Sequence, residues 1–255
     1  MAALCAGAPN LRFQVMSVHS HPRDQAVQSM FDRIAGRYDL LNRVISFRLD
    51  ARWRKQVIEI ILVKENPLIL DLGTGTGDLA FGAARKTKGK ARIVGLDFSF
   101  KMLYLAQAKR AQRPHGNSAR FVQGSAMTAP FKSAIFDGAM TAFVLRNVSD
   151  LGLFFAEAFR VLRPGGKLVS LDMFPPSKGW FAALYSAYFY RVVPWIGGLL
   201  AHDRRAYKYL SDSVRQFHAP EVVAGMIQQA GFGRVTVRKF LRGAVCLHVG
   251  EKSDA

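Results

Sequence analysis

At 255 residues the chain is long enough to bury a substantial core, and its make-up of 50% hydrophobic and 21% charged residues excludes wholesale disorder. Its 36 Lys and Arg against 18 Asp and Glu give a formal net charge of +18, which attracts either nucleic acid or the anionic face of a membrane without choosing between them. Two cysteines, Cys5 and Cys246, stand near opposite ends with no CxxC pair or His/Cys cluster, so neither a disulfide framework nor a metal site is expected.

Residues 1–25 read as a flexible tail. They are mildly apolar from Met1 through Val18 but lack a basic stretch ahead of a long apolar core, so no secretory signal is expected, while an organellar address stays open. From Ala26 to Ile45 apolar residues recur at helical spacing (Val27, Met30, Phe31, Ile34, then Leu40, Leu41, Val44, Ile45) with a break near Gly36-Arg37-Tyr38, which predicts two short helices. A third helix is expected over about 51–63, ahead of Pro67.

The pattern then changes to short apolar runs alternating with helical stretches. Strands are expected over 68–72, 92–96, 119–123, 136–143, 166–171, 233–240 and 244–250, and helices over 77–85, 101–110, 151–161 and 220–230. Such alternation implies an α/β fold, a mainly parallel sheet with helices on both faces. The last two runs, joined by Leu241-Arg242-Gly243, read as an antiparallel hairpin at one edge. Residues 174–210 break the rhythm with many aromatics, among them Trp180, Phe181, Tyr185, Tyr188 and Phe189, and excursions of this length serve as lids or binding elements. Interrupted by Arg191 and Pro194, this stretch is not a clean membrane span of about 20 residues. A single domain over 26–252 follows, with 174–210 as its insertion or lid.

The segment Asp71-Leu72-Gly73-Thr74-Gly75-Thr76-Gly77-Asp78 follows the first predicted strand. Its spacing is GxGxG; the third glycine of a dinucleotide fingerprint would fall on Asp78. Carboxylates at Asp71 and Asp78 repel a diphosphate but not an ammonium or a sulfonium, so the turn favours S-adenosylmethionine over a dinucleotide. Asp97, about 20 residues on at the end of the second strand, can accept hydrogen bonds from ribose hydroxyls. Gly124-Ser125-Ala126 after the third strand adds to the site. The bland alternative is a tight glycine turn, with Asp97 capping the next helix.

Phe31-Asp32-Arg33-Ile34-Ala35 with Tyr38-Asp39-Leu40-Leu41-Asn42, the turn from Asp71 to Asp78, Leu145-Arg146-Asn147-Val148, and Arg160-Val161-Leu162-Arg163-Pro164-Gly165-Gly166 carry a resemblance that a late segment, Tyr207 to Val214 with Phe217, extends. They resemble the class I methyltransferases and, more narrowly, the quinone C-methyltransferases of menaquinone and ubiquinone synthesis. The likeness covers roughly Ala26 to Lys252. It implies a Rossmann-like fold of seven strands, mainly parallel, with an N-terminal helical lid and the aromatic insertion after the fifth strand. It also implies S-adenosylmethionine as cofactor and, as acceptor, a reduced polyprenylated quinone methylated on a ring carbon, demethylmenaquinol first and a ubiquinol precursor second. By this resemblance Thr76, Asp97, Ser125 and Ala126 take cofactor-contacting positions, the last two at the adenine ring; with Asp71, Gly73, Gly75 and Gly77 they form the cofactor set. The chain departs from the family at Asp50, where His is usual, at Ser125, where Asp or Asn is usual, and at Ala142, where Ser is usual. These departures bear on cofactor contacts and substrate choice more than on reaction class.

A sulfonium methyl is already activated, so the protein must mainly align a nucleophilic carbon and exclude water. Arg146 and Asn147 follow the predicted fourth strand, at the edge where ligands of open α/β sheets collect. Arg146 is the candidate for stabilising a developing phenolate or orienting a water that takes its proton, Asn147 for bonding a ring oxygen, and Tyr38 for bonding the substrate. The competing readings are a salt bridge for Arg146, a turn for Asn147, and ordering of the N-terminal lid by Tyr38 with Asp39 and Asn42. His202 and His218 read as surface or lid residues, and Arg163-Pro164-Gly165-Gly166 as a structural corner. Arg191, Arg204, Arg205, Lys208 and Arg215 can meet anionic head groups, or form the solvated edge of a packed cap. Peripheral membrane contact from a cytoplasmic home is the expected setting; no oligomeric state is legible.

Two rivals remain. A nucleic-acid methyltransferase suits the charge, but the Asn/Asp-Pro-Pro-aromatic motif that holds a base amino group is replaced by Phe143-Val144-Leu145-Arg146-Asn147, and Pro175-Pro176 follows the wrong strand. A non-catalytic lipid- or RNA-binding module is opposed by the intact Asp71, glycine turn and Asp97.

Overall fold

The computed structural model describes residues 22–62, 64–176, 179–193, 195–196 and 203–254. The expected tail thus lies outside the described residues except for 22–25, which already belong to a helix; Pro194, His202 and the side chain of Arg204 lie outside them too.

Seven strands, β1 (Leu68–Leu72), β2 (Arg92–Asp97), β3 (Ala119–Gln123), β4 (Phe136–Ala142), β5 (Leu162–Met173), β6 (Arg234–Phe240) and β7 (Val245–Glu251), form one sheet in the order β3-β2-β1-β4-β5-β7-β6. The first five pair in parallel, and β7 runs antiparallel to both β5 and β6, so the expected edge hairpin is present. Strand order reverses direction between β1 and β4, and the crevice at such a switch point, beyond the carboxyl ends of the strands, is where ligands of open α/β sheets bind. β5 is longer than its apolar run. Leu162 pairs with Phe136, the chain then bulges through the Arg163-Pro164-Gly165-Gly166 corner with Gly165 at φ +69°, and register resumes with Lys167 opposite Gly138.

Helices α3 (Leu49–Ile61) and α4 (Asp78–Lys86) cover one face of the sheet, placing Trp53, Val57, Ile61 and Phe81 against Ile69, Ile93, Met140 and Val169. α6 (Leu151–Val161) and α9 (Pro220–Gln229) cover the other, where Phe154, Phe155, Ala158 and Val161 recur at helical spacing against Leu70, Leu72 and Leu168. Each fully buried Phe contributes about 1.5–3 kcal/mol by leaving water. α5 (Phe100–Arg110) starts where the Ser99 hydroxyl accepts from Met102 N at 3.1 Å, and α6 where Asp150 accepts from Leu153 N at 2.9 Å.

A third apolar cluster sits outside this sandwich. α1 (Pro22–Ile34), a 3-10 turn over Ala35–Arg37 and α2 (Tyr38–Ile45) reproduce the two expected helices and their break. Met30, Ile34, Leu41 and Ile45 pack with Phe189, Val193 and Tyr207 of the insertion and with Val214 just beyond it. The insertion itself folds as α7 (Trp180–Ala187), a π-helical turn over Tyr188–Val192 and α8 (Arg204–Arg215), and Ser211 Oγ donates to Phe189 O at 2.8 Å to tie the last to the turn. π turns inside helices recur at functional sites.

Candidate active site

The site begins where β1 ends. Gly73 turns the chain at φ +70°, and a Cβ there would lie 2.5 Å from Val144 Cγ2, so only glycine fits. Gly75, at φ +55°, has no atom within 4 Å of where a Cβ would stand: its bare backbone opens onto free space that a ligand can approach. Gly73 N and Thr74 N both donate to Leu96 O, at 2.8 and 3.0 Å, which locks the turn to β2.

Two buried carboxyls flank it. Asp71 accepts from Thr74 Oγ1 at 2.7 Å; Asp97 accepts from Gly75 N at 2.8 Å and from Ser99 N at 2.9 Å. Burial pushes Asp71 up to about 7 and Asp97 up to about 6, against the opposing pull of those hydrogen bonds. Carboxyls held near the point of ionisation give up their protons when a cation arrives. Each oxygen has two lone pairs, so Asp97 keeps acceptor capacity after its backbone bonds.

The N-terminal helices lie across this edge. In α1, Asp24 accepts from Ser149 Oγ at 3.0 Å near the end of β4, while Gln28 Nε2 donates to Phe98 O at 2.7 Å and Asp32 accepts from Ser99 Oγ at the end of β2. In α2, Asp39 accepts from Thr76 Oγ1 at 2.6 Å and pairs with Lys109, which also stands 3.7 Å from Asp78. A cavity of about 30 Å³ remains beneath α2, lined by Tyr38, Arg54, Asp71, Thr76, Ala142 and the glycine turn. That is water-sized with α2 in this position, where the Asp39–Thr76 bond ties α2 to the turn.

Beyond β4 the chain turns at Phe143, a non-glycine residue at φ +64°, a conformation that costs about 1–3 kcal/mol and persists only where its surroundings enforce it. The Phe143 ring has the guanidinium of Arg54 at 5.1 Å and that of Arg146 at 6.0 Å. Arg146 is buried, and its Nη1 donates to Asp172 Oδ1 at 2.6 Å; the other carboxylate oxygen accepts from Leu145 N at 2.7 Å. Asp172, fully buried at the end of β5, therefore holds both the side chain and the backbone of the Leu-Arg-Asn run. Arg146 Nε is buried with no hydrogen-bond partner among the described residues, and so is the Tyr185 hydroxyl of α7. Burial raises the Tyr185 phenol, as does nearby Tyr190, while the charge of Arg146 opposes the shift.

The ubiE/COQ5 methyltransferase family model matches residues 19–252. The chain belongs to this family. It is 44% identical to the demethylmenaquinone methyltransferase of Thermus thermophilus over 223 residues, 88% of this chain and 100% of that protein. It is 41% identical to the protein of the same name from Deinococcus radiodurans over 230 residues, 90% of this chain and 94% of the relative. Among solved structures, a SAM-dependent methyltransferase of Thermotoga maritima superposes with a TM-score of 0.63 at 19% identity, covering 89% of this chain and 100% of its own, a likeness of fold. The chain is an S-adenosylmethionine-dependent methyltransferase with the seven-stranded Rossmann-like architecture expected of it.

The residues present fit that cofactor: two buried acids suited to a cationic, hydroxyl-bearing ligand, and an open glycine backbone between them. Of the cofactor set, Asp71, Gly73, Gly75 and Thr76 line the cavity with Tyr38, and Asp97 is bonded to the turn. Gly77 does not line it; at φ +84°, it ends the turn ahead of α4. Ser125 and Ala126 stand half-buried just past β3, following Gly124, whose N donates to Asp97 O at 2.9 Å, with Ser125 Oγ accepting from Met127 N at 3.2 Å. Arg146 and Asn147 lie outside the cavity, past the Phe143 ring; the salt bridge and turn weighed as their competing roles are both present, since Asn147 N donates to Val144 O at 2.8 Å and its Nδ2 to Phe143 O at 3.3 Å. Tyr38 is half-buried, edge-on to Phe31 at 5.9 Å, with its phenol raised by burial against the charge of Arg54.

Sequence reasoning missed Asp172, Lys109 and Arg54, and named Tyr185 only as one aromatic of the insertion; Asp39, weighed as ordering the N-terminal lid, does tie α2 to the turn through Thr76. Asp172 carried a usable signal, because a lone acid closing an apolar strand is the same mark that singled out Asp71 and Asp97. Arg54 had another: Asp50 precedes it by four residues on α3, pairs with it and also accepts from Ser46 Oγ at 2.7 Å, so the departure at Asp50 supports an arginine over the site.

Proposed function

We propose that the chain methylates a ring carbon of a reduced polyprenylated quinone, demethylmenaquinol first and a ubiquinol precursor second, in menaquinone or ubiquinone synthesis. The observation that carries the acceptor reading is Arg146, a buried guanidinium fixed by Asp172 with its Nε unspent among the described residues, whose charge reaches the likewise unspent Tyr185 hydroxyl. Near-full-length likeness to demethylmenaquinone methyltransferases supports the same acceptor.

When bound, S-adenosylmethionine supplies a methyl group activated on a sulfonium. Asp71, Asp97 and the turn from Gly73 to Gly77 would hold it, with Ser125 and Ala126 at the adenine. Arg146 stabilises the phenolate that forms as the quinol hydroxyl loses its proton, directly or through a water, and Asn147 and Tyr38 bond ring oxygens. The phenolate makes the adjacent ring carbon nucleophilic. That carbon would take the methyl, leaving the cofactor as the neutral thioether, and the ring proton would pass to water as the aromatic ring is restored. Asp172 acts as a positioning residue: it holds the guanidinium in one orientation and compensates its buried charge. α1, α2 and the 174–210 insertion act as the lid that excludes water from one domain spanning 26–252.

The acceptor is taken from a membrane, from the cytoplasmic side, through peripheral contact; no helix among the described residues is long and apolar enough to cross a bilayer. Incubation of the purified protein with labelled S-adenosylmethionine and reduced demethylmenaquinone, a demethylated ubiquinol precursor or RNA tests the reading. Label is expected in a quinol; label in RNA alone would overturn it.

A further inference from the structure

Helix α2 exposes the side that should be polar. Leu41 and Ile45 are buried as amphipathic spacing requires, yet Leu40 and Val44, one turn apart, are 56% and 36% exposed, and Phe47, in the left-handed turn that follows the helix, is 72% exposed. The stripe continues into the insertion. The Phe47 ring lies 5.6 Å from that of Tyr188, whose hydroxyl donates to Ile45 O at 2.9 Å. Leu184, a turn before Tyr188, is 62% exposed, and Val192, a turn after, is 41% exposed. Two segments far apart in the chain thus build one apolar face.

Beside this face opens a cleft of about 360 Å³ between α3, α4 and the end of α2, lined by seven cationic side chains against two carboxylates. Both carboxylates are already engaged, Asp50 by Arg54 and Asp78 by Lys109. Arg43, Arg48, Arg85, Lys86 and Arg113 make no ion pair among the described residues. Around the insertion, Lys208 pairs with Asp212 at 2.6 Å and Arg215, just beyond it, lies over the Tyr190 ring at 5.8 Å, whereas Arg191 and Arg205 are exposed and, like the five in the cleft, make no ion pair among the described residues.

We propose that this surface docks the protein on an anionic phospholipid bilayer, with Leu40, Val44, Phe47 and Leu184 entering the acyl boundary and lipid phosphates occupying the arginine cleft. Charge complementarity and apolar exposure point to the same occupant: a soluble polyanion has no use for four exposed apolar side chains, and a neutral apolar partner has none for five unpaired cations. The inference deepens the quinol reading and locates its entrance. α2 closes the cofactor turn through Asp39 and Thr76 on its inner side, so a bilayer on its outer side leaves a prenyl tail in lipid while the ring passes between α2 and the insertion.

The test is sedimentation of the full chain with vesicles of phosphatidylcholine alone or with added phosphatidylglycerol, with no quinol present. Binding is expected to require phosphatidylglycerol. Each basic residue near an anionic surface is worth roughly fivefold in affinity, so the triple variant Arg48→Glu/Arg85→Glu/Arg113→Glu should lose on the order of a hundredfold or more. Phe47→Asn, which suits the left-handed backbone there, and Leu40→Ser should also weaken binding. All of these should keep cofactor affinity and methyl transfer to a water-soluble short-chain quinol. Equal binding to both vesicle types, retention by the triple variant, or displacement from vesicles by single-stranded RNA would overturn the proposal. Vesicle binding with no methyl transfer to any quinol would instead overturn the acceptor reading and leave the surface standing.

Discussion

Along the carboxyl edge of the sheet, the β1–β2 side satisfies the polar groups it buries, whereas the β4–β5 side leaves several of them without partners. On the first side Asp71, Thr74, Thr76, Asp97 and Ser99 are all buried, and each has a hydrogen bond within the chain. On the second, Arg146 Nε, the Tyr185 hydroxyl, Thr141 Oγ1 and Ser170 Oγ have none among the described residues. Buried polar atoms without partners cost about 1–3 kcal/mol each, so such a group persists where a ligand completes it or the fold offers no alternative. Under the proposed function, the first side is the cofactor half, preorganised within the chain, and the second is the acceptor half, whose unpartnered atoms are available to a substrate.

The severest way to break that comparison is to remove the support of the acceptor half. Asp172→Ala strands a buried guanidinium and should cost about 3–5 kcal/mol in denaturant unfolding, with activity lost alongside. The double variant Arg146→Met/Asp172→Leu should regain much of that stability and none of the activity. A singly substituted protein as stable as the parent would mean that Asp172 supports nothing.

Arg146→Ala should lower kcat by on the order of a hundredfold to a thousandfold while leaving cofactor affinity intact, as expected for a group acting on charge that develops in the reaction. Turnover at the parental rate would take Arg146 out of the chemistry. In the cofactor half, Asp97→Ala should weaken S-adenosylmethionine by about 1–3 kcal/mol in a calorimetric titration without selecting among acceptors. Unchanged affinity would remove the ribose assignment.

The smallest effect is one of pH. Asp71 and Asp97 have folded-state values of about 7 and about 6 against 3.8 for the free group, so the native protein without cofactor binds more protons than the unfolded chain across that window. Their contribution to stability is present below about pH 4 and lost as pH rises through 6 and 7. Affinity for the cationic cofactor runs the other way, rising over the same interval. Melting temperature and affinity measured at pH 5 and pH 8 should move in opposite directions; a flat affinity profile would show that neither carboxyl titrates at the site.

How far each half was legible follows from how local its causes are. β1, β3 and α6 stand at their expected residues because apolar period and flanking Gly or Pro lie within the element. The cofactor turn was readable for the same reason, since glycines and acids at short spacing define a strand-to-helix corner. α3 runs over Leu49–Ile61 rather than 51–63, because Phe47 and Arg48 at φ 50° and 63° restart the chain earlier than periodicity alone suggests. β5 was expected to begin at Gly166, whereas its pairing starts at Leu162 across a bulge that no apolar pattern marks.

The sequence by itself determined the class of this protein: a parallel sheet from alternating periods, a methyl-donor turn from GxGxG between two acids, and a family from Tyr38–Asn42 and Leu145–Val148. Only the tertiary structure decided which groups meet. Asp172 reaches Arg146 because β4 and β5 are neighbours, Asp39 reaches Thr76 because α2 folds back over the glycine turn, and Phe47 meets Tyr188 because the Tyr188 hydroxyl docks on Ile45. These contacts join residues as far as 143 positions apart, and strand order and helix docking, not local propensity, set them.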